Sequence, residues 1–237
     1  MDVSYGDIVI YPREPQYAAN RYKILVVGRS GSGRSALVRR FKHNEFHEIM
    51  EDLPLPEITV VVRAIRGDIV RADLQIMELS NFVANDDPSN LAKVHIAKHC
   101  LDVNGLLLVY DTTNQDAFGE ICDVLPSLQR MIAPDVDIFF VGTKADLSDA
   151  RKISFVDAEK KSQDLGFSLF ETSAVIGINC EELILEVLDK LSERRAEVRE
   201  YLTEKEEVPQ EESEANEVEP VKPSLFCWLP YFWNKKE

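Results

Sequence analysis

Three apolar runs decide what this chain can fold into: Lys23–Gly28 (KILVVG), Gly105–Asp111 (GLLLVYD) and Asp137–Gly142 (DIFFVG). Each is short and apolar at successive positions, so a strand formed there must be covered on both faces. Such strands lie in the middle of a parallel sheet, with helices above and below it. Helical spacing recurs between and after them, over 35–46, 90–102, 115–131, 155–165 and 180–200. Two β-branched runs, 58–65 and 69–79, flank Arg66-Gly67-Asp68 and read as a hairpin, and Ser168–Phe170 supplies one more short strand. The expected fold class is α/β: a doubly wound, mostly parallel six-stranded sheet with helices on both faces and right-handed crossovers. Ligands on such sheets bind outside the carboxyl ends of the strands.

The 237 residues, 45% of them apolar, suffice for one ordinary domain with tails. Composition divides them into a leader over 1–20 with a strand-like stretch at Asp7–Tyr11, a domain over 21–202, a Glu-rich linker over 203–220 and an aromatic tail over 221–237. The linker has too few large apolar side chains to order itself. The formal net charge is -15. It argues against broad nucleic-acid binding, which needs a basic face, but leaves room for a small phosphate site built from backbone amides. No apolar run approaches the roughly 18 residues that cross a bilayer. The cysteines at 100, 122, 180 and 227 make no CxxC and no dense framework, so a reduced, cytoplasmic chain is the expectation. The N-terminus carries no signal-peptide pattern, and Asp2 excludes N-myristoylation.

Chemistry concentrates first in Gly28-Arg29-Ser30-Gly31-Ser32-Gly33-Arg34-Ser35, with Ala36 following in the helix. This stretch leaves the first strand and opens the first helix. It fits GxxxxGK[ST] except that Arg34 stands in the lysine place. Glycines let backbone N–H groups curl round an oxyanion, and the helix N-terminus faces the charge. Arg34 supplies a cation with a larger, planar fork, and Ser35 a hydroxyl for Mg²⁺. A glycine-rich turn without ligand is the competing reading.

After the third of the apolar runs come Thr143-Lys144-Ala145-Asp146, then Leu147. After the short run come Glu171-Thr172-Ser173-Ala174, then Val175. With the glycine loop and GLLLVYDTTN at 105–114, these segments resemble the Ras-like small GTPases, in the style of Ras and Rab, over about residues 21–195. The resemblance implies a protein that binds GTP or GDP with Mg²⁺, is read by effectors and regulators in signalling or trafficking, and works as a monomeric domain. It implies that Asp146 accepts hydrogen bonds from the guanine N1–H and amine, an arrangement that adenine cannot satisfy. The Lys144 stem would cover one face of the base, the Ala174 N–H would meet the guanine oxygen, and Thr143 and Ser173 would brace the loops.

The catalytic half departs from the family. Where the third strand of the family ends in Asp-x-x-Gly followed by Gln, this chain has Glu78, Asn81 and Phe82 in the Asp, Gly and Gln places. Phe82 cannot hydrogen-bond an attacking water. The first switch segment, 48–57, holds no hydroxyl for Mg²⁺ and the γ-phosphate. Hydrolysis is therefore expected to be weak or absent, and no residue is assigned as catalytic. Three readings stand: an atypical guanine-nucleotide-binding protein, a scaffold that has kept the fold and abandoned the nucleotide, and a working enzyme with unfamiliar residues.

The histidines form two i, i+4 pairs, His43/His47 and His95/His99, without the further ligands a metal site needs. Five of the nine residues at 225–233 are aromatic, including both tryptophans, and Lys235 and Lys236 follow. Residues 225–236 suit a bilayer interface, with Cys227 open to palmitoylation. A docking peptide and a segment folded back on the domain are the rival readings. The C-terminus has no CaaX box.

Overall fold

The computed structural model describes residues 20–44, 57–82 and 91–206, with side chains throughout except at 91–95 and 202–206. The chain divides into two compact units, 1–197 and 198–237. The sheet and its site belong to the first.

The six strands are β1 (Arg21–Gly28), β2 (Thr59–Ile65), β3 (Asp68–Glu78), β4 (Gly105–Asp111), β5 (Asp137–Thr143) and β6 (Ser168–Glu171). They lie in the order β2-β3-β1-β4-β5-β6. All neighbours pair in parallel except β2 and β3, which are antiparallel. Their hairpin turns on Arg66 (φ 52°) and Gly67 (φ 91°). Two successive left-handed residues match the twist of the flanking strands.

The helices are α1 (Arg34–His43), α2 (Leu91–Cys100), α3 (Ala117–Gln129), α4 (Phe155–Asp164) and α5 (Cys180–Glu206). The apolar runs are buried on both faces, as their composition requires. Leu25, Val27, Leu106, Leu108, Tyr110, Ile138 and Phe140 point to one core with residues of α2, α3 and α4. Ile24, Val26, Leu107, Val109, Phe139 and Val141 point to the other, against Leu37, Val38 and Phe41 of α1 and Leu183, Ile184, Val187 and Leu188 of α5. The period of two along each strand thus sorts one sequence into two cores.

Element ends differ from the sequence reading for local reasons. The helix predicted over 35–46 stops at His43, because Asn44 turns left-handed (φ 53°) and its N–H caps the Arg40 carbonyl. The strand predicted to Leu79 ends at Glu78. Leu79–Phe82 forms a 3-10 turn that buries Leu79 and Phe82, three apart on one side. α5 continues to Glu206, into the stretch read as linker, because Glu, Lys, Arg and Leu are good helix formers. The leader, its strand-like stretch, residues 207–237 with the aromatic tail, residues 45–56 with all but the last residue of the first switch segment, and residues 83–90 lie outside the described residues.

At the edge strand β2, Arg63 Nε donates to Glu181 of α5 at 2.6 Å, and Nη2 to the Phe41 carbonyl at 2.6 Å. At the hairpin, Arg66 bonds Asp189 and Glu193 of the same helix.

Candidate functional site

The loop after β1 runs between the buried Gly28 and the first turn of α1. Gly31 (φ 79°) and Gly33 (φ 87°) take conformations that only glycine adopts without strain. At Gly28 the reason is space: a Cβ there would lie 2.3 Å from the Val109 carbonyl oxygen. α1 has no acidic residue of its own in its first turn, the positive end of the helix, where Arg34, Ser35 and Ala36 sit, all partly buried. Arg29 and Ser30 are exposed, and Arg29 Nη1 donates to Glu120 on α3 at 2.6 Å.

The loop after β5 is tied to this one. The buried Thr143 hydroxyl lies 2.6 Å from the Ser32 carbonyl and 3.0 Å from that of Tyr110. Lys144 turns left-handed (φ 60°), and the next residue, Ala145, donates its N–H to the Thr172 carbonyl at 3.1 Å. That bond joins the loop after β5 to the one after β6. There the Ser173 N–H donates to the Ile178 carbonyl at 3.0 Å, and Gly177 N–H to the Ser173 carbonyl at 2.8 Å, closing a tight loop over Ala174 and Val175. Both Leu147 and Val175 expose their side chains.

Lys144 reaches Asp111, the last residue of β4, with Nζ 2.6 Å from Oδ2. Burial alone would raise the Asp111 pKa. The hydrogen bonds from Lys144 and Thr113 outweigh it and hold the carboxyl below the usual range. A cavity of about 280 Å³ opens here, lined among others by Gly31, Ser32, Asp111, Asn114 and Lys144. Asp111 and Asn114 escaped the sequence reading as site residues. Their signal was position alone, at and just after the carboxyl end of a central strand.

Two polar side-chain atoms in the loops after β1 and β5 are buried with no hydrogen-bond partner among the described residues: Ser32 Oγ and Asp146 Oδ1. A buried carboxylate oxygen without a donor is costly, and a ligand bringing N–H groups relieves that cost.

Other expected residues lie elsewhere. The Arg34 fork turns to the end of β3, where Nη1 donates to the Met77 carbonyl and Nη2 to Glu78 Oε2. Phe82, in the place of the water-orienting Gln, is 2% exposed and packs into the core beneath α2 and α3. His99 sits 2.7 Å from the Gln75 amide. Among the described residues no group of three or more His, Cys, Asp or Glu is placed to hold a metal ion.

A glycine loop at the carboxyl end of the first strand, opening a helix and bolted to the loops after the fifth and sixth strands, defines an α/β domain of the P-loop type. A model of the Ras family matches residues 23–193, and the chain belongs to that family. Ras-related protein Rab-4 of Dictyostelium discoideum is similar to it, 29% identical over 163 residues that cover 69% of this chain and 75% of that one.

The residues fit the family's nucleotide better than its metal. For the base there is the orphaned Asp146 oxygen, and for phosphate the glycine loop and the N-terminal end of α1 that it opens. Mg²⁺ keeps several waters and takes one or two protein oxygens. Ser35 offers a hydroxyl, but among the described residues the carboxylate in the corresponding place, Glu78, is engaged by Arg34. That donor set does not fit the ion.

Proposed function

We propose that this domain binds guanine nucleotide, GTP or GDP, and acts as a small regulatory protein of signalling or trafficking. The observation that carries the reading is Asp146 Oδ1, buried and unpartnered in a loop held at Thr143 to the phosphate loop and at Ala145 to the loop of Ser173. Guanine offers the paired donors that such an oxygen lacks. The phosphates lie against Gly28–Ala36, and the base against Thr143, Lys144, Asp146, Leu147 and Ser173–Val175.

Hydrolysis is weak or absent. Phosphoryl transfer is catalysed almost wholly by positioning and electrostatics, and Phe82 faces the core rather than a water. Protein partners read the domain's surface, residues 225–236 touch a membrane peripherally from the cytoplasm, and the domain works as a monomer. No helix among the described residues is long and apolar enough to cross a membrane.

The test is to purify the full chain, extract what it carries, and measure its melting temperature with added GDP, GTP and ATP. Guanine nucleotide in the extract and a rise with GDP or GTP alone support the reading, since a ligand of the native state stabilises it by mass action. An empty extract and no rise favour the second reading, a scaffold independent of nucleotide. One observation supports that alternative: the phosphate loop's cation is already satisfied by Glu78 and Met77.

A further inference from the structure

Two residues depart from the family pattern in the phosphate region, Arg34 in the Lys place and Glu78 in the Asp place, and they touch each other. They lie 44 residues apart in sequence, on the first turn of α1 and the last residue of β3. Each side chain is longer than the one it replaces, and the added lengths meet as a charge-assisted pair. The Arg34 side chain is 11% exposed and that of Glu78 36%.

We propose that the Arg34–Glu78 pair stands in for the divalent ion, so that this pocket holds guanine nucleotide without Mg²⁺. This rests on the guanine-nucleotide reading above. A guanidinium has five N–H donors, and Met77 and Glu78 account for two. The remaining donors belong to the first residue of α1, the helix whose positive end favours phosphate oxygens. A metal ion at Glu78 would have to displace a charge-assisted hydrogen bond and then share the site with a guanidinium that cannot lose its proton. Lysine would behave differently, being a compact point charge without the fork that bonds Met77 and Glu78 together. Glu78 has a second role in the same arrangement. It fixes the fork against β3, so that a nucleotide arriving at α1 need not order the Arg34 side chain at a further entropic cost.

The experiment loads the full chain with a fluorescent GDP analogue and follows its release, once in millimolar Mg²⁺ and once in excess EDTA. The expected release rates agree within about threefold. In the double variant Arg34→Lys/Glu78→Asp, EDTA speeds release by more than about tenfold, because the ion regains a carboxylate and loses its competitor. Glu78→Gln keeps the side chain's shape and removes its charge. It should bind the analogue more tightly while staying indifferent to EDTA. Wild-type release accelerated beyond about threefold by EDTA overturns the inference whether or not the double variant folds. An analogue that binds in neither buffer overturns the guanine-nucleotide reading itself, a distinct result.

Discussion

The Thr143 hydroxyl lies 2.6 Å from the Ser32 carbonyl, joining the loop after β5 to the loop after β1 across 111 residues of chain. Both residues are buried. The bond makes the base-side and phosphate-side loops one object, so a change at either is felt at the other.

Thr143→Val keeps the shape and deletes the donor. It leaves the Ser32 carbonyl without that partner, at a cost of about 1–3 kcal/mol. The urea midpoint should fall accordingly, and GDP affinity should fall with it although Thr143 need not touch the nucleotide. Unchanged affinity at reduced stability would show the two loops to be independent.

Asp146→Ala separates binding from folding. Two hydrogen bonds to a charged acceptor disappear, so GDP affinity should drop by about 100-fold or more. The melting temperature of the nucleotide-free chain should hold or rise, since a buried carboxylate oxygen without a partner has been removed. Calorimetric titration and a thermal melt of the same preparation check both halves.

The Asp111–Lys144 pair predicts an acid limb. The folded Asp111 carboxyl titrates below its unfolded value, so its stabilising contribution is present at neutral pH. It begins to shrink as pH falls through the unfolded value of about 3.9 and is gone below the folded one. In Lys144→Met the contribution is smaller at every pH above that window. The difference in urea midpoint between wild type and variant should be constant near neutrality and close on acidification.

Phe82→Gln restores the residue type of the family and should restore nothing else. The side chain lies in the core with Leu79, Ile96 and Cys100. The substitution exchanges a buried ring for an amide without a partner and should cost about 3–5 kcal/mol, with GTP turnover no faster than in wild type. Phosphate release measured beside a denaturant curve decides it.

The strands were legible because burial on both faces leaves a mark that needs no partner: Leu106 through Tyr110 are apolar whichever way they point. The loops were legible because Gly31, Gly33 and the position of Asp146 after a strand are local facts. What could not be read depends on distance through space. Nothing in the sequence pairs Arg34 with Glu78, or Lys144 with Asp111, since either cation could have pointed to a ligand. The burial of Phe82 could not be read because a 3-10 turn leaves no periodic signature. The end of α1 turned on a single left-handed Asn44, and the length of α5 on helix propensity where no apolar stripe continues.

Arg63 sets a limit on how this domain can meet others of its kind. Among the described residues β2 is a margin of the sheet, with the exposed Val60 upon it, and such a margin invites another chain to add itself as a seventh strand. Arg63 holds its own Val62 carbonyl as well as Phe41 and Glu181, fastening the middle of that margin down onto the body. Stacking along this side would require that clasp to be undone first, so the arginine that anchors the ribbon also raises the cost of adding a strand there.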